Sequence, residues 1–136
     1  MKQPAIRIPS SLEMPRTESL TLRNGLKLYT LRVDNFDVVR ISFVFHAGSV
    51  TQNAPFVAGT TDNLLAEGTS RLTGRQIAEQ LDFYGSYFEA SLDRDYVYIS
   101  FCSLRRYFRE TLKAAEEILL RPVFPEHEVE TYCRKR

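Results

Sequence analysis

Two pairs of alternating runs, each divided by turn residues, constrain the fold of this chain most strongly. In residues 20–33 (LTLRNGLKLYTLRV), apolar and polar residues alternate on both sides of Asn24-Gly25. An Asn-Gly pair in this setting predicts a β-hairpin, because both turn positions favour positive φ. Residues 86–104 (SYFEASLDRDYVYISFCSL) show the same alternation around Asp93-Arg94. The chain is therefore expected to form antiparallel strands in hairpin-like pairs.

Two segments lie between these pairs of strands and differ in their periodicity. Residues 36–48 (FDVVRISFVFHAG) are β-branched and aromatic, which predicts a well-buried strand ended by a turn at residues 47–49. Residues 56–67 predict a helix, closed by Gly68 in a left-handed conformation. This helix is apolar at Leu64 and Leu65, yet it also carries the adjacent polar residues Asp62 and Asn63, which need an explanation.

A second helix is predicted over residues 73–85 (TGRQIAEQLDFYG). Thr73 and Gln76 have the spacing of a capping box, and Gly85 is a helix-stop signal. An amphipathic helix follows over residues 106–120, and another begins at Glu126 after two prolines. The last helix has no stop signal before the chain ends, so we expect the sequence to end inside a larger domain.

The order of predicted elements is three strands, two helices, two strands and two helices. Strands in blocks, alternating with helices in blocks, favour the α+β class: an antiparallel sheet with helices packed on one face. Residues 1–18 contain three of the six prolines and predict an extended linker or arm. Residues 19–136 are then expected to form one domain, incomplete at its carboxyl end.

Composition excludes several classes of protein. Hydrophobic residues make up 43% and charged residues 26% of the 136 residues, as in an ordinary globular domain. The formal net charge of +1 leaves no basic surface typical of nucleic-acid binding. No apolar run is long enough to span a bilayer, and residues 1–18 lack the apolar region of a signal peptide. The sequence does not indicate a compartment.

Candidate catalytic residues are few. His127 lies in HEVET, which resembles the zinc-binding pattern HExxH, but Thr131 replaces the second histidine. His46 stands alone at the end of a predicted strand. Cys102 and Cys133 lack CxxC spacing, which favours idle thiols over a disulfide or a ligand pair. With six scattered glycines and no phosphate-binding loop, the residues alone do not predict an enzyme.

Several segments together resemble a known family. They are LTLRNGLKLYTLR, ISFVFHAGSV, LLAEGTSRLTGRQIAEQLDFYGSYFEASLDRDYVYIS and TLKAAEEILLRPVFPEHEVE. In this order they resemble the amino-terminal half-domain of the insulinase-like (pitrilysin, M16) zinc metallopeptidases, which include the mitochondrial processing peptidase and the cytochrome bc1 core proteins. The resemblance runs from about Glu18 to the end of the chain. It implies half of an α/β sandwich, which agrees with the fold class drawn from the residues.

In active members of that family, the helix before a Gly-Thr pair carries an inverted zinc motif, His-x-x-Glu-His. Counting back from residues 68–69, the motif falls on Gly59, Asp62 and Asn63. Glycine offers no ligand atom, and a neutral amide is a poor zinc ligand beside imidazole. The resemblance thus implies a degenerate motif, with no catalytic residue, no metal ligand and no cofactor in this chain. Zinc is expected only in a catalytic partner half.

The loss of the motif does not depend on the alignment, because no histidine lies between His46 and His127. A further glutamate ligand of the family would lie beyond Arg136. An active enzyme that uses another metal site would lack ligands in this chain.

Substrate binding in active members occurs by strand addition near an Asn-Ala pair. The corresponding residues here are Phe88, Glu89, Ala90 and Ser91, with Glu89 in place of asparagine. The resemblance therefore implies a non-catalytic domain that serves as structural and peptide-binding partner of a zinc-bearing half. The alternative is a purely structural scaffold of the core-protein type, without peptidase activity. Expected partners are a catalytic half-domain or subunit and an extended peptide, and the fragment could form a homodimer.

Overall fold

The structure is a computed structural model, and it describes residues 14–135. The strands are β1 Thr17–Thr21, β2 Lys27–Leu31, β3 Val38–Phe45, β4 Tyr87–Leu92 and β5 Val97–Leu104. The helices are α1 Val57–Leu64, α2 Gly74–Phe83, α3 Phe108–Leu120 and α4 Glu126–Arg134, with a 3₁₀ turn at Arg105–Tyr107. The predicted order of elements and the α+β class are confirmed. No helix in the described part of the chain is long and apolar enough to cross a membrane.

The described residues divide into two compact units between Phe36 and Asp37. The first contains the predicted hairpin, in which β1 and β2 pair antiparallel. Its connection differs from the expected two-residue turn, since Gly25 alone takes a positive φ (85°) there. The Leu22 N–H donates to the Leu26 carbonyl at 2.8 Å, which leaves a three-residue loop closed by the left-handed glycine. Residues 1–13 of the predicted arm lie outside the described residues.

The second unit contains a three-stranded antiparallel sheet in the order β3-β5-β4. The prediction that β3 would be well buried is wrong: β3 is an edge strand of this sheet, and its side chains on the face opposite the core are exposed. Its side chains alternate between half-buried and exposed, and Val38 and Val44 are about half exposed. β5 occupies the centre, and Phe101 is fully buried opposite Ile41 of β3 and Phe88 of β4.

Helices α2 and α3 cover the apolar face of the sheet. The buried core takes residues from α2, β5 and α3, namely Ile77, Leu81, Ile99, Phe101, Ala114, Ala115 and Ile118. Ile41 and Phe43 of β3 and Phe88 and Ala90 of β4 pack against it from the same face. The expected packing of helices on one face of the sheet is therefore confirmed for this unit.

The opposite face of the sheet is polar and connects the two outer strands. The Arg40 Nη2 atom lies 2.9 Å from Glu89 Oε2 and 3.2 Å from Ser100 Oγ. Ser42 and Ser100 are joined by a 2.8 Å hydrogen bond. Arg40 of β3 thus pairs with Glu89 of β4 across the central strand.

The two predicted helix signals have different outcomes. The capping box at α2 is confirmed, because the Thr73 side chain accepts from the Gln76 N–H and the Thr73 N–H donates to Gln76 Oε1 at 2.9 Å. Gly85 ends the helix with φ of 59°. The prediction of a left-handed helix cap at Gly68 is wrong. Helix α1 ends four residues earlier, and Gly68 instead forms a bridge with Thr73 and has no positive φ.

Candidate functional site

Helix α1 carries the three positions of the predicted degenerate motif. Gly59, Asp62 and Asn63 lie within an arc of about 100° around the helix axis, given the rotation per residue. The helix begins after Phe56, which takes an unusual positive φ of 68° and provides no side-chain cap. The three positions thus lie on one side of a short helix.

Gly59 and Asn63 offer little to a bound ion. A Cβ atom at Gly59 would find only Leu92 Cδ2 within contact, at 3.8 Å, so the position has room but no donor atom. The Asn63 Nδ2 atom donates to the Gly59 carbonyl at 2.7 Å. The amide of this exposed asparagine is therefore engaged with the backbone of its own helix.

Asp62 lies in a different environment from its two neighbours. Its side chain is on the inner side of α1, where the residue is only 7% exposed. The Oδ1 atom is buried and has no hydrogen-bond partner among the described residues. Burial raises the pKa of this carboxyl above its ordinary value of 3.8. A buried carboxyl oxygen without a partner is energetically costly, which favours protonation of Asp62 or a bound partner.

A cavity of about 480 Å³ lies between α1 and the sheet, and Asp62 forms part of its wall. The wall combines apolar side chains from the sheet and helices with neutral polar side chains from the loop before α1. Its residues are Phe45, Ala47, Thr51, Gln52, Asn53, Val57, Ala58, Thr61, Asp62, Leu65, Val97, Ile99 and Leu119. Asp62 is the single ionisable residue in this described set.

The loop after β3 is held in place by the turn between β4 and β5. The N–H groups of Gly48, Ser49 and Val50 donate to carbonyls of Asp95, Asp93 and Arg94 at 3.0–3.1 Å. A Cβ at Gly48 would lie 2.3 Å from the Arg94 carbonyl oxygen, so only glycine fits this close approach. This contact positions the polar residues of the cavity wall.

The donor set around α1 does not fit a zinc ion. Zinc sites in proteins use several sulfur, imidazole or carboxylate ligands, and no group of three such residues occurs within residues 14–135. His46 packs against Tyr96 with ring centroids 5.4 Å apart, and His127 lies on exposed α4 beside Glu128. Cys102 is a buried thiol and Cys133 an exposed one. The structure does not bring these groups together.

The predicted peptide-binding residues Phe88, Glu89, Ala90 and Ser91 all lie on β4. In the described sheet, β4 is an edge strand that pairs with β5 on one side. Phe88 and Ala90 face the core, while Glu89 faces the other way and pairs with Arg40. The backbone of an edge strand retains donors and acceptors for a further strand.

The second unit is an α+β unit with a short helix beside an edge strand, the architecture implied for a metallopeptidase-like half-domain. The profile of the family described as Insulinase (Peptidase family M16) matches residues 30–135. The chain therefore belongs to the M16 family, which confirms the resemblance found in the sequence. A search of the curated proteins finds no match.

Two solved structures are similar over most of this chain. One is a peptidase M16 inactive domain from Pseudomonas fluorescens, with a TM-score of 0.81 and 25% identity over 88% of this chain and 30% of that chain. The other is a protease from Helicobacter pylori, with a TM-score of 0.73 and 20% identity over 85% of this chain and 28% of that one. The sequence given thus spans less than a third of either chain. The second similarity shows the fold alone.

The cavity and its unpartnered carboxyl were not predicted from the sequence. The sequence did place Asp62 on an otherwise apolar helix, which is the one signal that pointed to this position. The walls come from β3, β5, α1 and α3, which are distant in the chain, so no local pattern could reveal them.

Proposed function

We propose that this chain is a non-catalytic peptidase domain that acts as the structural and peptide-binding partner of a zinc-bearing half. The observation that carries this proposal is the chemistry of α1. At the motif positions it presents a glycine, an asparagine bonded to its own helix, and a carboxyl directed to an inner cavity. The similarity to a solved M16 inactive domain supports the same conclusion.

The partner in this proposal is a half-domain or subunit with an intact His-x-x-Glu-His motif. Support comes from the lengths of the similar solved structures, of which this sequence spans less than a third. A second half would supply the zinc and the attacking water, while this half would contribute a wall and an edge strand. Zinc is accordingly proposed for the partner and not for this chain.

The zinc content of the purified chain tests the non-catalytic part of the proposal. We expect no stoichiometric zinc by elemental analysis after purification without chelator. The matched variant combines Gly59→His, Asp62→Glu and Asn63→His, which restores the motif side chains on α1. We expect little gain of zinc in this variant, because the restored motif supplies two histidine ligands and the family's further glutamate ligand would lie beyond Arg136. One zinc ion per chain in the unmodified protein would refute the proposal.

Peptide binding is proposed to occur by addition of an extended strand to β4. This mode uses backbone hydrogen bonds, so the presence of Glu89 in place of asparagine does not prevent it. Isothermal titration with an unstructured peptide should give measurable heat. The same peptide with N-methyl groups at alternate residues should bind much more weakly, because it lacks the donors that pair with an edge strand.

The peptide titration also separates the proposal from its alternative. Equal binding of the methylated and unmethylated peptides would exclude strand addition. No heat with either peptide, together with no zinc, would instead support a structural scaffold of the core-protein type.

A further inference from the structure

The cavity beside α1 combines an apolar body with one buried acidic group. Phe45, Val97 and Ile99 of the sheet, Leu65 just after α1 and Leu119 of α3 supply apolar wall. The volume of about 480 Å³ is within the range of small-molecule sites. A cavity of this kind favours a ligand with an aliphatic chain.

The acidic group in the wall is Asp62, whose Oδ1 atom has no hydrogen-bond partner among the described residues. The other polar wall residues, Thr51, Gln52, Asn53 and Thr61, are neutral. No basic side chain, and no second titratable side chain, faces the cavity from α1, the sheet, the preceding loop or α3 within the described residues. An ionised Asp62 therefore has no counter-charge among the described residues of the cavity wall.

We propose that this cavity binds a primary alkylammonium ion, with its aliphatic chain against the apolar wall and its ammonium group paired with the Asp62 carboxylate. An ammonium group in the cavity would supply the positive charge that the wall lacks, and its N–H groups can donate to the Asp62 carboxylate. A neutral alcohol of the same length fills the same apolar volume without the charge. The difference in affinity between the two ligands isolates the contribution of Asp62.

The test compares hexylammonium with 1-hexanol by isothermal titration on the full chain. We expect hexylammonium to bind about tenfold more tightly, as a hydrogen bond to a charged group implies. The variant D62N should lose this preference and bind the two ligands alike. The variant D82N removes an equal charge from an exposed position on α2 and should retain the preference.

Acidification provides a second readout. Hexylammonium affinity should weaken as the pH is lowered from about 8 to about 4, because protonation of Asp62 removes its charge. Equal affinity for the two ligands in the unmodified chain, an unchanged preference in D62N, or no binding of hexylammonium would each overturn the proposal. The zinc content of the unmodified chain and the peptide titration are both measured without hexylammonium, so the failure of one proposal can be distinguished from the failure of the other.

Discussion

Replacement of Gly59 by alanine should stabilise the chain. Gly59 lies inside α1, where glycine is less favourable than alanine by about 0.5–1 kcal/mol. The new Cβ would meet only Leu92 Cδ2, at 3.8 Å, which is ordinary van der Waals contact and adds no strain. The full helix-propensity gain is therefore expected, and it corresponds to a rise in Tm of about 2–5 °C.

Thermal unfolding followed by circular dichroism measures this change, with Gly48→Ala as the matched control. At Gly48 the same added methyl group would lie 2.3 Å from the Arg94 carbonyl oxygen, so the backbone must move. Such overpacking costs about 1–3 kcal/mol. We therefore expect opposite shifts in Tm from two identical substitutions. A loss of stability in Gly59→Ala would refute the reasoning, since it would mean that position 59 requires glycine in the folded chain.

Three further predictions concern stability. Asp62→Asn should stabilise the fold by about 1 kcal/mol at neutral pH, because it removes a buried charge. Since the pKa of Asp62 in the folded chain is raised above 3.8, this gain should disappear as the pH falls below the pKa of the unfolded chain. Urea titrations at several pH values would show this. Thr73→Ala should lower stability by about 1 kcal/mol through loss of the α2 cap, whereas Thr73→Ser should not. Ile118→Ala should cost about 2–5 kcal/mol in urea unfolding, against little for Leu120→Ala, which is 70% exposed.

The elements that the sequence predicted correctly depend on local chemistry. The capping box of Thr73 and Gln76, the left-handed Gly85 and the alternation around Asp93 each act within a few residues. The Asp93 carboxylate accepts the N–H groups of Asp95 and Tyr96 at 2.8 and 2.6 Å, so the turn is specified by its own sequence. Such interactions can be predicted without knowledge of the rest of the fold.

The predictions that failed depend on contacts between distant segments. The apolar, β-branched composition of β3 predicted a buried strand, but Val38 and Val44 lie on the face of this edge strand opposite the core and are exposed. Gly68 has the sequence position of a helix cap, yet its carbonyl accepts the N–H of Val123 at 2.9 Å, from a residue more than fifty positions away. The inner orientation of Asp62 has the same origin, because the cavity walls are assembled from four elements.

The three hydrogen bonds between residues 48–50 and residues 93–95 have a mechanical consequence. They connect the carboxyl end of the edge strand β4 to the loop that leads into α1. A peptide that pairs with β4 and shifts its end should therefore also shift this loop, because Gly48 packs directly against the Arg94 carbonyl. The end of the edge strand and the loop before α1 are therefore expected to move together. A shift of β4 should change the position of the polar residues in the cavity wall.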